Sequence, residues 1–318
     1  MKVIIRANFG KTQLQRRVAD MIADQALWVE DADATIRALP SADALFCADR
    51  FYSATIAEAV RNAAPKLRWI QLRTAGYDRA KQHGVPAPIT VCNAGPAYAP
   101  AVAMPAVALL LALQRRLPTI LTNQQRHAWD QSCTAELTTP ASSTIAVIGF
   151  GPIGREIGRL LRALDARVVA VTRRGLPAPN ADEIVSGDHL HDVLKRADAI
   201  VVAASYDEST RGLIGERELR ACKQTAVLVN IARGALVDAR ALGAALRNNG
   251  TIAGAGIDVT DPEPLPADDP LWDAPNLIVT PHCAGACGAI AGERMAELAC
   301  ANLRRFIDGA SLMHVVQL

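Results

Sequence analysis

Three short segments in the second half of the sequence each carry one chemically useful side chain. They are Asn230-Ile-Ala-Arg233, Asp258-Val-Thr-Asp-Pro-Glu263-Pro264 and Thr280-Pro-His282. A guanidinium binds anions, and a carboxylate beside an imidazole is a pair that can share and move a proton. Taken singly, each has an ordinary reading: a surface cation at a strand end, a solvated acid between prolines, a turn histidine. Taken together they are harder to set aside. Each follows an apolar run that reads as a strand, and the ends of parallel strands are where open α/β sheets place their ligands.

Such a sheet has a signature in Thr144-Ile-Ala-Val-Ile-Gly149-Phe-Gly151-Pro-Ile-Gly154, where a strand-forming run breaks into G-x-G-x-x-G. Gly149 permits the tight turn, Gly151 lets the backbone approach a pyrophosphate, and Gly154 lets the next helix pack on the sheet. Pro152 suits the first helical position, where its missing N–H costs nothing. Ile153, Ile157, Leu160, Leu161 and Leu164 fall at helical spacing, so one face covers the sheet while free N–H groups at the helix start meet an anion. A dinucleotide site over 149–154 is the expectation. Apolar runs at 144–150, 167–172, 199–204, 226–231, 254–259 and 277–280 supply six buried strands, with helical patterns at 189–197 and 239–249 between them.

The second of these strands ends Val169-Ala-Val-Thr172-Arg173-Arg174. An NAD-selective sheet carries an acid there, about twenty positions past the glycine turn, to accept hydrogen bonds from the adenosine ribose. No carboxylate occurs between Arg167 and Ala181, and two guanidiniums stand where a ribose 2′-phosphate would lie. A planar fork of donors suits a phosphate. NADP(H) is therefore expected in preference to NAD(H), with one of the two arginines a solvated surface charge.

The first hundred residues read as a smaller parallel α/β unit, with strands at 2–7, 45–48, 67–72 and 89–92 and helices at 12–26 and 55–63. Prolines and a glycine in Asn93-Ala-Gly-Pro-Ala-Tyr-Ala-Pro100 mark the boundary before an apolar helix over 101–117 and a polar, irregular stretch over 119–143. A helix from 289 to 307 could return the chain to the first unit. The expected division is 1–100 completed by 289–318 as substrate domain, and 101–288 as NAD(P)-binding domain. The 318 residues are 50% hydrophobic and 21% charged, ordinary for an α/β protein. A net charge of +2, scattered along the chain, recommends neither nucleic acid nor a membrane surface as partner, and favours a small-molecule substrate. The longest apolar segment, 99–113, is too short and too Pro-interrupted to span a bilayer. Seven cysteines without a framework spacing, and a first strand that begins at Met1 with no leader, are expected of a cytoplasmic protein with reduced thiols.

These motifs resemble those of the D-isomer-specific 2-hydroxyacid dehydrogenase family over essentially the whole chain. The likeness rests on the glycine turn, on Thr210-Arg-Gly-Leu-Ile214, on Leu228-Val-Asn-Ile-Ala-Arg-Gly-Ala-Leu-Val-Asp238, on Gly256-Ile-Asp-Val259 with Glu263-Pro264, and on Thr280-Pro-His282. The resemblance implies a Rossmann dinucleotide-binding domain and a smaller, flavodoxin-like parallel α/β substrate domain that close over the substrate, commonly within a homodimer. It implies that Arg233 binds the substrate carboxylate and carbonyl, that His282 is the acid/base, and that Glu263 hydrogen-bonds His282. Asp258 is implied at the nicotinamide carboxamide, with Thr210 and Ala232 also at the cofactor. Leu72-Arg-Thr74-Ala75-Gly76-Tyr-Asp78 resembles the family loop whose backbone N–H groups hold the substrate carboxylate. Arg50 and Arg73 stand near that loop and could bind a second anionic group, but both are expected to be exposed.

Hydride delivery to a 2-oxo acid builds negative charge on the carbonyl oxygen, so a placed proton donor and a fixed cation act mainly in the transition state. A carboxylate beside an imidazole favours the form that can donate. The expected activity is an NADPH-preferring reduction of small 2-oxo acids, of the glyoxylate/hydroxypyruvate type, to D-2-hydroxy acids. The resemblance also admits an NAD-dependent dehydrogenase of the D-lactate-like or phosphoglycerate type, and a dinucleotide-sensing binding protein. The chain departs from the family at Ala101-Val-Ala-Met104-Pro105, usually the place of an acid, and at Ala203-Ala-Ser205-Tyr206, commonly Leu-Pro. No metal is expected: His282, Cys283 and Cys287 lack a fourth ligand.

Overall fold

The computed structural model describes residues 1–7, 9–247, 250–286 and 288–318, so Cys287 and the end of the helix expected over 239–249 lie outside the described residues. The chain forms two units, Met1–Tyr98 with Ala286–Leu318, and Ala99–Gly285.

The first unit runs β1 (Val3–Arg6), α1 (Lys11–Ile22), β2 (Ala26–Trp28), α2 (Ala32–Ala38), β3 (Ala44–Cys47), α3 (Ala54–Ala63), β4 (Trp69–Leu72), α4 (Asp78–His83) and β5 (Thr90–Cys92). Its parallel sheet has the order β2-β1-β3-β4-β5, the flavodoxin-like arrangement. Alternation in β3 and β4 sends side chains to both faces. Phe46 and Trp69 meet edge to face at 4.7 Å, and Trp69 lies 5.2 Å from Phe306 of the C-terminal helix Gly288–Ile307. Leu45, Ile70 and Leu72 pack on the opposite face with Ile56 and Val60 of α3. The helix expected over 12–26 is a correction: it stops at Ile22, and Ala26 pairs with Val3 to start an edge strand. Ala26-Leu-Trp prolongs the helical apolar spacing, but three residues at a sheet edge gain ladder hydrogen bonds instead. α2 is too short to show a period, and is set by Asp31, whose carboxylate accepts from Ala34 N at 2.7 Å.

The second unit runs α5 (Ala99–Gln114), α6 (Leu117–Gln125), β6 (Thr144–Ile148), α7 (Pro152–Arg162), β7 (Arg167–Thr172), β8 (Glu183–Ser186), α8 (Leu190–Arg196), β9 (Ala199–Val202), α9 (Glu216–Ala221), β10 (Val227–Asn230), α10 (Ala239–Leu246), β11 (Gly254–Ile257) and β12 (Leu277–Val279). Among the described residues its sheet is parallel throughout, in the order β12-β11-β10-β9-β6-β7-β8. The chain leaves β6 toward β7 and β8, then returns to β9 and proceeds the other way. The crevice past the carboxyl ends of β6 and β9 is therefore the topological switch point. Two expectations are corrected. α6 occupies part of the stretch read as irregular, and β8 adds a seventh strand to the six expected, because Glu183 and Ser186 at its ends hid an edge strand among polar residues.

That edge is pinned by charge. Glu183 accepts from Arg167 at 3.0 Å and from Arg196 of α8 at 2.8 Å, and these partners, Arg196 first, hold its carboxyl at about 2, against desolvation. A depressed carboxyl contributes stability above its ordinary range and loses it as pH falls toward the folded value. Glu183→Gln is expected to cost about 1 kcal/mol at pH 7, discounted because the group is about one-third exposed. The deficit should shrink at pH 3 in urea unfolding; an equal deficit at both pH values would exclude the ion pairs as its source.

Among the described residues no single helix is long and apolar enough to cross a membrane. The thiols of Cys47, Cys92, Cys133, Cys222, Cys283 and Cys300 are free.

Candidate functional site

The glycine turn closes the carboxyl end of β6. Gly149 has φ +89°, and a β-carbon there would lie 2.4 Å from the backbone of Ala204 after β9. Gly154 is equally constrained, its β-carbon falling 2.1 Å from Gly149 O, so α7 packs directly on the turn. Gly151 differs. It caps α7 with φ −72°, and a β-carbon there would meet no protein atom within 4 Å. Gly151, Ile153 and Gly154 donate their backbone N–H groups to no acceptor among the described residues, and Pro152 has none to donate. Three undirected donors at a helix start with an open approach form a cradle that fits a pyrophosphate.

At the end of β7, Thr172 Oγ1 accepts from Gly175 N at 2.9 Å and turns the chain. The two arginines then diverge in circumstance. Arg173 Nη2 lies 3.0 Å from Asp207 Oδ2. Arg174 is exposed and forms no ion pair among the described residues. Asp207 had escaped notice in the sequence, although Asp-x-x-Thr is a capping box: it accepts from Ser209 N at 2.9 Å, while Thr210 Oγ1 accepts from Asp207 N at 2.8 Å. Bonds from Ser209, and then the Arg173 charge, hold the Asp207 carboxyl below its usual range.

The three chemical side chains stand past the ends of β10, β11 and β12. Asn230, 1% exposed, accepts from Ala232 N at 3.0 Å and donates to Arg233 O at 2.9 Å, folding the chain so that Arg233 starts a new turn. A β-carbon on Gly234 would lie 2.0 Å from Thr260 C, which brings the Arg233 turn against the loop that carries Glu263. His282 Nδ1 is 2.6 Å from Glu263 Oε1, with the side chains 47% and 42% exposed, respectively. The imidazole is thus oriented by a carboxylate and still reachable. His282 adopts φ +50°, costly for a residue with a side chain, and the surroundings fix it there. Its N–H donates to Asp258 O at 2.8 Å. The Asp258 carboxylate, 2% exposed, accepts from Thr280 Oγ1 at 2.5 Å, Cys283 N at 3.0 Å and Ala284 N at 2.9 Å. Asp258 therefore organises the loop that presents His282. Desolvation and then the Asp258 charge push the Cys283 thiol up, which keeps it protonated.

In the first unit, the turn after β4 has its carbonyls engaged and its N–H groups not. Ala94 N donates to Thr74 O at 2.9 Å, Asn93 Nδ2 to Ala75 O at 2.8 Å, and Thr74 Oγ1 to Gly76 O at 2.8 Å. The backbone N–H groups of Thr74, Ala75 and Gly76 donate to no acceptor among the described residues. Arg50 is exposed, as expected. Arg73 is a correction: it is 5% exposed, held by Phe9 O at 2.6 Å beneath the turn that follows β1.

A family model described as "D-isomer specific 2-hydroxyacid dehydrogenase, NAD binding domain" matches residues 107–284. The chain is 35% identical over 253 residues to a glyoxylate reductase of Thermococcus gammatolerans, covering 77% of this chain and 75% of that protein. It is 35% identical over 286 residues to a D-3-phosphoglycerate dehydrogenase of Mycobacterium bovis, covering 89% of this chain but only 53% of that protein, about half its length. Among solved structures, a D-isomer specific 2-hydroxyacid dehydrogenase family protein from Aeromonas salmonicida is similar with a TM-score of 0.85 and 26% identity, covering 99% of each chain.

Proposed function

Since the chain belongs to the D-isomer-specific 2-hydroxyacid dehydrogenase family, we propose that it is an NADPH-preferring reductase of small 2-oxo acids, of the glyoxylate/hydroxypyruvate type, giving D-2-hydroxy acids. The observation that carries the reading is the His282–Glu263 pair, in the same unit as the Gly149–Gly154 cradle and beside the Arg233 turn. A bound reduced nicotinamide supplies the hydride. The residues of the chain do the rest. Arg233 holds the substrate carboxylate and offsets the charge that grows on the carbonyl oxygen. His282 gives its proton to that oxygen, and Glu263 stabilises the imidazolium before transfer. In the first unit, the free backbone N–H groups of Thr74, Ala75 and Gly76 are donors suited to a carboxylate, the role the family resemblance implies for them. Asp258, Thr210 and Ala232 border the nicotinamide end, and Thr172, Arg173 and Arg174 the adenosine end.

The absence of a carboxylate at the end of β7 supports NADP(H), while the commitment of Arg173 to Asp207 supports use of NAD(H) as well. Arg174 then carries most of the preference. With glyoxylate and hydroxypyruvate, kcat/KM is expected to be higher with NADPH than with NADH, and Arg174→Ala to lower that ratio by about tenfold, the scale of one charge-assisted contact. Faster NADH turnover in the native protein would reverse the cofactor assignment. Tight dinucleotide binding with no turnover of any 2-oxo acid would favour the dinucleotide-sensing reading. The same preparation should sediment as a homodimer, in keeping with the family and with the exposed Met104, Leu121 and Trp129 of the second unit; a 33.8 kDa species alone would exclude it.

A further inference from the structure

We infer that Asp207, on the loop after β9, is a specificity-determining residue for the cofactor: its carboxylate holds Arg173 away from a ribose 2′-phosphate and so keeps NADH usable beside NADPH. The inference deepens the reading of the second unit as an NADP(H)-preferring site and rests on it. It starts from the strand order. β6 lies between β9 and β7, so residues that follow β7 and β9 meet only across the carboxyl end of β6. The glycine turn occupies that end, and the chain leaving β9 runs against it, with Ala203 N donating to Ile148 O at 2.8 Å. The pair of Arg173 Nη2 and Asp207 Oδ2, 3.0 Å apart, therefore spans the crevice in which such sheets bind a dinucleotide. Asp207 also adjoins Ala203-Ala-Ser205-Tyr206, where the chain departs from the family.

The local turn does not require this charge. Asp207 caps the short turn Glu208–Thr210 with Oδ1, which accepts from Ser209 N at 2.9 Å and from the Ser209 hydroxyl. Asparagine or serine caps as well as aspartate does. The second oxygen, Oδ2, is left for Arg173. The two partners are held unequally. The Arg173 side chain is 77% exposed against 26% for Asp207, and a pair with so exposed a member stabilises the fold little. Such a guanidinium can turn to a stronger anion, whereas the capped carboxylate stays where the turn holds it. An arriving 2′-phosphate must then take Arg173 from its partner and settle near a fixed negative charge. A ribose hydroxyl meets neither cost. Arg174 forms no ion pair among the described residues, so its attraction for a phosphate is unopposed.

The test measures NADPH and NADH affinity by fluorescence titration of the full chain, so it reads binding and does not depend on turnover. Asp207→Asn keeps the cap and removes the charge. It is expected to raise the NADPH-to-NADH affinity ratio by about tenfold, the scale of one charge-assisted contact, with an unaltered melting temperature. Arg173→Ala should lower the ratio by less than about threefold in the native background, where Asp207 occupies it, but by about tenfold in the Asp207→Asn background. That non-additivity is the mark of one cation contested by two anions, and a merely structural pair would not produce it. Competition by 2′,5′-ADP against 5′-AMP should repeat the shift and so assign it to the ribose phosphate. A ratio unmoved by Asp207→Asn, with Arg173→Ala acting equally in both backgrounds, would overturn the inference and leave the cofactor reading standing. Failure of the native protein to bind either dinucleotide would overturn that reading and the inference with it.

Discussion

His282→Gln is expected to lower kcat for 2-oxo acid reduction by about 10³-fold, within the range that a positioned general acid contributes. Glutamine keeps a hydrogen-bonding side chain of similar reach but cannot deliver a proton. The geometry makes the expectation specific. With Nδ1 committed to Glu263 at 2.6 Å, the proton to be transferred sits on Nε2. Glu263→Gln keeps the contact and removes the charge, so its effect should be smaller, on the order of tenfold, the scale of one charge-assisted contact. Neither residue touches the Gly149–Gly154 cradle, so dinucleotide affinity should stay within about a factor of two, the size of an ordinary surface effect. Single-turnover rates at saturating NADPH, with affinity from fluorescence titration, check both parts. An unchanged rate in His282→Gln would assign the proton to another group.

The second large effect separates two glycines of one motif. Gly149→Ala requires a β-carbon 2.4 Å from the Ala204 backbone at φ +89°, so it is expected to destabilise the second unit by about 3 kcal/mol or more. Gly151→Ala meets no protein atom and needs no unusual φ, so its melting temperature should match the native one. Its new methyl group enters the approach to the free N–H groups, and dinucleotide affinity should fall by about tenfold or more, some 1.4 kcal/mol. Calorimetry and titration on both variants decide it. Native affinity in a folded Gly151→Ala protein would remove the pyrophosphate from this turn.

The sequence was most informative where a local rule and a long-range role coincide. G-x-G-x-x-G is such a case, since the same three positions are demanded by backbone torsion and by close approach, and both demands show in the one-dimensional pattern. His282 and Glu263 were legible as types, because each follows an apolar run and a proline. Their meeting was implied only by the family resemblance and not by the local pattern, since it depends on the loop between β11 and β12. Short edge elements were lost for a different reason: β2 has three residues and β8 is polar at both ends, so neither displays a period. Asp207 illustrates a further limit. It caps a turn locally, which is readable, and pairs with Arg173 from the far side of β6, which is not. Arg73 was misjudged because arginines are mostly exposed, and nothing in Leu72-Arg-Thr74 reports that the residues after β1 fold over it.

The bonds of Asp258 bear on how far the proton donor wanders. His282 follows β12, a three-residue strand on the rim of the sheet, where breathing motions are largest. It is tethered elsewhere. Its own N–H and those of Cys283 and Ala284, with the Thr280 hydroxyl, all end on one residue after the interior strand β11. The amplitude of the imidazole is then that of β11, so the rim can fluctuate while the donor keeps the ångström-scale registration that proton transfer demands.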